Sequence, residues 1–254
     1  LLGIEFDQEV DLSAKILSAE DLAKLEAAAD RRIDEHIPAA YLVGSAWFAG
    51  YKFNSDSRAL VPRSPFAELI SSHFAGLVDT DPQRVLDMCT GSGCIGLATA
   101  LTYSQVHVDL VDVSKDALAL AMSNISLHGL ESRVRPLLSD CFEAVTGQYD
   151  LILCNPPYVS ADEYAELPSE YFAEPALGLL SEDDGLALPI KLLEQAGQYL
   201  AENGLLIMEV GFSEQALKDA LPELPFLWLE FSYGGSGVFC LTADQLRGFS
   251  VTGK

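Results

Sequence analysis

The chain reads as an α/β protein with a mostly parallel seven-stranded sheet, an antiparallel hairpin at the C-terminal end of that sheet, and a small helical segment in front of it. Three observations carry this reading. From residue 84 onward, apolar strand-like runs alternate with helical stretches, and near-continuous apolar strands belong to parallel sheets covered on both faces. Gly129, Gly147, Asn203-Gly204 and Gly234-Gly235 fall between those runs, where helix stops and turns are expected. The last two strand-like runs are joined only by Tyr233-Gly234-Gly235-Ser236, short enough for a hairpin at one edge.

The elements follow in order. Residues 18–36 carry an amphipathic helical pattern, with Ser18 and Asp21 spaced as a capping box, and Pro38 ends it. Residues 41–53 are rich in aromatics and punctuated by Gly44 and Gly50, which predicts a short hairpin. Val61-Pro62-Arg63-Ser64-Pro65 is a turn that leads into a helix over 65–78. Strands are predicted at 84–89, 106–112, 134–139, 149–154, 204–210, 227–232 and 237–242, and helices at 94–103, 114–128, 184–201 and 213–221. The division expected is a helical segment over 1–40 that docks substrate, a linking hairpin over 41–60 and the main domain over 61–254. The chain begins at Leu1 without Met, so the first segment is expected to be truncated.

Composition narrows the function classes. The chain has 254 residues, 49% of them hydrophobic, enough for one sizeable core. No apolar run reaches the length of a membrane span, and the opening residues lack a basic-then-apolar signal pattern. The five cysteines (89, 94, 141, 154 and 240) form no paired CxxC sets, which favours buried thiols in a reducing cytoplasm over disulfides or zinc. The four histidines have no ligand spacing around them, and no metal is expected. The net charge is −23, from 38 acids and 15 bases. Such a surface repels phosphate backbones, so direct nucleic-acid binding is disfavoured. The acidity fits either a basic protein partner or plain solubility. The run Asp162-Glu163, Glu166 and Glu170 reads as a solvated face or as a greeting for a basic substrate.

Two motifs point to chemistry. Gly91, Gly93 and Gly96 follow the first strand of the alternation and open a helix, where glycines let backbone approach a ligand and the helix N-terminus favours negative charge. Asp112 ends the next strand, at the distance where an acid grips ribose hydroxyls. Asp87, before the loop, suits an ammonium. Asp140 and Asn155 end the third and fourth strands, so four polar side chains are expected on one rim. The glycine spacing alone fits a nicotinamide dinucleotide as well. The second motif, Asn155-Pro156-Pro157-Tyr158, separates the two readings. An Asn carbonyl beside a main-chain carbonyl offers two acceptors for the hydrogens of an NH2 group, two prolines stiffen them, and Tyr158 gives a flat face for a planar group. Hydride transfer has no need of that arrangement, whereas methylation of nitrogen does.

The run Val85-Leu86-Asp87-Met88-Cys89-Thr90-Gly91-Ser92-Gly93, the Asp112 strand end and Asn155-Pro156-Pro157-Tyr158 resemble the class I S-adenosylmethionine-dependent methyltransferases, whose fold is Rossmann-like. More narrowly, the segment 61–68, the segment 174–179 and Asp184-Gly185-Leu186 resemble the glutamine methyltransferases that modify release factors and a ribosomal protein. Asp87-Met88-Cys89-Thr90, Ala46-Trp47-Phe48 and Trp228-Leu229-Glu230-Phe231 are similar to the branch acting on the third protein of the large ribosomal subunit. The resemblance spans roughly 37–246.

It implies methyl transfer from S-adenosylmethionine, leaving S-adenosylhomocysteine, to the side-chain amide nitrogen of a glutamine. Asp87, Gly91 and Gly93 would hold the methionine end, with Cys89 and Thr90 in the same loop. Asp112 and Val113 would lie at the ribose, and Asp140 and Cys141 near the adenine. Asn155 and Pro156 would orient the amide, and Pro157 and Tyr158 would pack on the substrate. Arg63 would contact substrate or hold its loop by an ion pair, Glu68 would contact substrate, and Glu174 would cap a helix or line the peptide channel. The expected partner is a basic ribosomal protein, free rather than assembled. A release factor is the alternative, and an adenine-amino group of nucleic acid a further one.

Overall fold

The computed structural model describes residues 17–249. Helix α1 (Ala19–Asp34) opens on the capping box, Ser18 with Asp21, and is followed by a short helix α2 (Ala39–Val43) that takes the first residues of the hairpin expected over 41–53. Gly44 closes α2 in the left-handed region, φ +76°, where only glycine is free of strain. Strands β1 (Ser45–Phe48) and β2 (Tyr51–Asn54) then form the hairpin, turning through Ala49 and Gly50, both at positive φ. Asn124 fixes the hairpin to the main domain: its Oδ1 accepts the Asn54 N–H at 2.7 Å, and its Nδ2 donates to the Ser92 carbonyl in the glycine loop at 2.9 Å.

The main domain runs α3 (Phe66–Ser71), β3 (Arg84–Met88), α4 (Cys94–Thr102), β4 (His107–Asp112), α5 (Lys115–His128), β5 (Val134–Leu138) and β6 (Tyr149–Cys154). It continues through α6 (Ala161–Ala165), α7 (Ala187–Ala196), β7 (Leu200–Glu209), α8 (Glu214–Ala220), β8 (Leu227–Trp228), β9 (Val238–Thr242) and α9 (Ala243–Leu246). Seven strands lie in the order β5-β4-β3-β6-β7-β9-β8. The first five are mutually parallel, and β9 is antiparallel to both β7 and β8. Side chains alternate across the sheet, as a pleat of period two requires. Val85, Leu110, Leu151 and Ile207 pack on one face, and Leu86, Val111, Ile152 and Met208 on the other.

Strand order reverses direction between β3 and β6, and open parallel sheets bind ligands beyond the strand ends at such a point. The register pairs Met88 with Cys154, so Cys89 and Asn155 leave the sheet at the same level. The sequence therefore placed the glycine loop and Asn155 on neighbouring tips.

Several boundaries differ from expectation. The helix expected over 65–78 stops at Ser71, and His73 and Phe74 follow at positive φ. The helix expected over 184–201 covers only Ala187–Ala196, and β7 begins at Leu200 with Asn203-Gly204 inside it. Gly204 is needed there because a Cβ would stand 2.8 Å from the Tyr149 carbonyl of β6. The strand expected over 227–232 is two residues long; the Leu229 N–H still bonds the Val238 carbonyl, and at the far end of the expected strand the Ser232 and Tyr233 N–H groups bond the Glu68 carboxylate instead of the ladder.

Candidate active site

Two cavities open on the strand-tip rim. The smaller, about 210 Å³, lies over the tips of β3, β4 and β6. The larger, about 880 Å³, lies beyond β6 and β7 and under the segment after Tyr158. They share Leu60, Arg63, Asn155 and Gly178, so Asn155 stands at their seam.

The smaller cavity is lined by Cys89, Thr90 and Gly91 from the loop, Asp112 and Val113 from the end of β4, and Asp140 and Cys141 after β5. Gly91 sits at φ +55° and its N–H donates to Asp112 Oδ2 at 2.9 Å, while the Ser114 N–H donates to Oδ1 at 2.8 Å. Ser114 also caps α5. The Asp112 carboxylate is thus aimed by two main-chain donors and keeps lone pairs for hydroxyls. Burial raises its pKa, against those hydrogen bonds. Asp140 is exposed and accepts from Lys191 Nζ at 3.0 Å, which lowers its pKa. Burial pushes the Cys141 thiol up to about 12, so it behaves as an apolar wall.

Asp87 and Gly93 are not in that lining. Gly93 ends the loop at φ +82° and packs against Leu97, Leu110 and Ala121, so it shapes the turn instead of facing the cavity. Asp87 is 1% exposed beneath the loop. Its Oδ2 accepts Thr90 Oγ1 at 2.5 Å and the Gly96 N–H at 2.9 Å. Gly96 has to be glycine, since a Cβ would meet Leu110 at 2.4 Å and Asp87 at 2.9 Å. The other oxygen, Oδ1, is buried with no hydrogen-bond partner among the described residues. Burial lifts this carboxyl to about 7. A buried acceptor left unmatched is costly, and a cationic donor arriving from the rim would match it. These carboxylate acceptors therefore fit the ammonium, the ribose hydroxyls and the adenine amine of S-adenosylmethionine.

The four residues after β6 divide between the cavities. Pro156 and Tyr158 face the larger one, and Pro157 faces the smaller, which corrects its expected place against the substrate. Tyr158 OH donates to Glu209 Oε1 at 3.1 Å, and Ser64 Oγ donates to Oε2 at 2.5 Å. Burial raises the Glu209 pKa, and that carboxylate raises the Tyr158 hydroxyl further after burial. The Tyr158 main chain is fixed too: Ser213 Oγ donates to its carbonyl at 3.0 Å, and a Cβ on Gly185 would stand 2.1 Å from the same oxygen.

Arg63 makes the ion pair that is one of its two expected roles. It lines both cavities, and its Nη1 lies 2.7 Å from Glu174 Oε1 while its guanidinium sits 4.7 Å over the Tyr171 ring. Glu174 lines neither cavity. It is buried, with Oε2 accepting the Val61 N–H at 2.9 Å, so it holds Arg63 and the 61–63 turn rather than a peptide. Glu68 lines the larger cavity but is engaged by the Ser232 and Tyr233 N–H groups at 2.9 and 3.3 Å, which lower its pKa. Sequence reasoning missed Glu209, Ser64, Phe212 and Tyr233, all of which line the larger cavity. For Glu209 a signal existed: it is an acid at the C-terminal end of an apolar strand, like Asp112. Among the described residues no group of three or more His, Cys, Asp or Glu side chains could hold a metal, and no helix is long and apolar enough to cross a membrane.

Residues 67–202 match the family model described as the methyltransferase small domain. The ribosomal protein uL3 glutamine methyltransferase of Xanthomonas campestris pv. campestris is 52% identical over 94% of this chain and 77% of its own length. That of Francisella tularensis subsp. tularensis is 47% identical over 82% of this chain and 68% of its own. Among solved structures, the hMettl16 catalytic domain in complex with the MAT2A 3'UTR hairpin 6 superposes with a TM-score of 0.60 at 16% identity. The superposition covers 92% of this chain and 86% of that one, a likeness of fold alone.

Proposed function

This chain belongs to the ribosomal protein uL3 glutamine methyltransferase family, and from that premise we propose that it methylates the side-chain amide nitrogen of a glutamine in uL3. The observation that carries the site assignment is the seam. Asn155 faces the cavity whose donors and acceptors suit S-adenosylmethionine and also the cavity large enough for a peptide.

S-adenosylmethionine supplies a methyl group made electrophilic by its sulfonium. The protein supplies placement and electrostatics. Asp87 Oδ1 would accept the ammonium, Asp112 would hold the ribose hydroxyls, and Asp140 with Cys141 would flank the adenine. Asn155 Oδ1 and the Pro156 carbonyl accept the two N–H groups of the target carboxamide. An amide nitrogen is a weak nucleophile because its lone pair is shared with its carbonyl. As that lone pair is withdrawn into the new bond, the two N–H groups become stronger donors. Acceptors already in place then bind the transition state more tightly than the ground state. The proton is lost after transfer, so no strong base is required at the seam. Tyr158, held by Glu209 and Ser213, forms the wall against which the planar carboxamide lies. Arg63, held by Glu174, closes the seam from the opposite side.

The identity to uL3 enzymes favours uL3 over a release factor. The charge of −23 favours free, basic uL3 over an assembled subunit whose surface presents RNA phosphate, with the reaction in the cytoplasm. The helical segment before the hairpin is proposed to help dock that protein. Mass spectrometry after incubation with labelled donor tests the whole reading. N-methylglutamine is expected on free uL3, less on intact large subunits and little on release factor. Label carried mainly by release factor or by intact subunits, or absent from uL3, contradicts it.

A further inference from the structure

Two aromatic side chains at the mouth of the larger cavity have no part in the chemistry above. Phe212 is 90% exposed and Tyr233 is 94% exposed, and both line that cavity. Large apolar rings held in water mark a binding surface when the backbone that carries them is fixed. Here it is fixed on both sides. Gly211 packs so closely on Tyr158 that a Cβ would stand 2.6 Å from the ring, and Ser213 Oγ bonds the Tyr158 carbonyl. Phe212 therefore sits between two residues anchored to the Asn155–Tyr158 tip. Across the mouth, the Glu68 carboxylate accepts the Ser232 and Tyr233 N–H groups. Gly235 lies against Pro65, where a Cβ would stand 2.3 Å from Cγ. The two loops also lock to each other: the Val210 N–H donates to the Gly237 carbonyl at 2.7 Å, and a Cβ on Gly237 would stand 2.0 Å from the Gly211 carbonyl.

We propose that Phe212 and Tyr233 form an aromatic clamp that grips the basic uL3 segment flanking the target glutamine. The clamp rests on the functional reading above and deepens it. Two features identify the occupant. The cavity is continuous from the clamp to Asn155, so whatever the rings grip is attached to the group that reaches the seam. Glu68, Glu163, Glu166 and Glu209 also line it, with Arg63 as the only base in that lining, so a cationic chain is favoured over an acidic one. Rigid rings lose little freedom on binding, and so suit recognition of an otherwise flexible segment. Glu68 is on this account the latch that holds Tyr233 out, a positioning residue with no substrate contact of its own.

The test is steady-state methylation of free uL3 by Phe212→Ala, Tyr233→Ala and the double variant. Both rings are exposed, so melting temperatures should match the parent. KM for uL3 is expected to rise roughly tenfold in each single variant and on the order of a hundredfold in the double. The kcat value and the cofactor Kd should move less than about twofold, as for groups that act away from the reacting atoms. Phe212→Tyr and Tyr233→Phe should restore most of the loss. A KM within about twofold of the parent in the double variant, with the parent active on uL3, overturns the clamp and leaves the function standing. Conversion of a parent dimer to monomer with KM unchanged also overturns it, by assigning this face to a second copy. A parent inert toward uL3 overturns the functional reading and the clamp together.

Discussion

The hydrogen bonds that shape the glycine loop of the cofactor-side cavity join residues close in sequence, and those that shape the substrate-side cavity join residues far apart. On the first side, Asp87 and Gly96 are nine residues apart, and Gly91 and Asp112 are 21 apart. On the second, Ser64 and Glu209 are 145 apart, and Glu68 and Ser232 are 164 apart. On the cofactor side, one loop and the next strand end form a unit that the parallel sheet builds locally, and residues after β5 and β6 complete the wall. The substrate side is assembled by the C-terminal strands closing back onto the 61–68 segment. A cofactor site of the first kind suits a shared donor, and a site of the second kind lets substrate choice vary without disturbing it.

Asn155, which faces both sides, gives the sharpest break. Asn155→Ala removes one of the two acceptors at the seam and should lower single-turnover transfer about a hundredfold to a thousandfold. Calorimetry should find the Kd for cofactor and for uL3 each within a few-fold of the parent. Transfer at a near-normal rate would remove Asn155 from its role.

Asp87 should separate the cofactor side from the substrate side. Asp87→Asn is expected to weaken cofactor binding tenfold or more, at the scale of a lost charge-assisted bond, with the Kd for uL3 unchanged. In the parent, pH gives a second handle. Burial holds the Asp87 carboxyl near 7, so its charged form, the one proposed to pair with the ammonium, is lost as pH falls below about 7. The ligand's α-amino group loses its own proton above about 8. Cofactor affinity should therefore be bell-shaped, with its optimum between those values and about a tenfold loss by pH 6. Asp87→Asn should flatten the acidic limb. A parent profile flat from pH 6 to 8 would contradict the assignment.

Glu209 should give the smaller, substrate-side effect. Glu209→Gln leaves one acceptor for the Ser64 and Tyr158 hydroxyls and should cost about 1 kcal/mol of stability. Since Tyr158 then loses its fixed tilt, KM for uL3 should rise severalfold while the cofactor Kd stays put. A change in the cofactor Kd alone would place Glu209 on the wrong side of the seam.

The same contrast explains what the sequence disclosed. The sheet, its antiparallel end, the glycine loop and Asn155-Pro156-Pro157-Tyr158 were legible because each is a local pattern: apolar period, glycine spacing, four adjacent residues. Asp112 was legible because strand-end acids recur at a fixed distance from such loops. Glu68 reads in the sequence as a substrate contact, and Glu174 as a helix cap or a channel wall, because their partners, Val61, Arg63, Ser232 and Tyr233, are distant in the chain, and no local pattern records a long-range hydrogen bond. Pro157 was assigned to the substrate side because adjacency in the motif hides that alternate residues face opposite cavities.

The most direct test of the seam is the structure of a complex with S-adenosylhomocysteine and a uL3 segment containing the target glutamine. The amide nitrogen is expected about 2.9 Å from both Asn155 Oδ1 and the Pro156 carbonyl oxygen. It should also lie on the side of Asn155 that faces the cofactor sulfur. A glutamine seated in the larger cavity with its nitrogen turned away from Asn155, or a cofactor bound outside the cavity over the tips of β3, β4 and β6, would contradict the account.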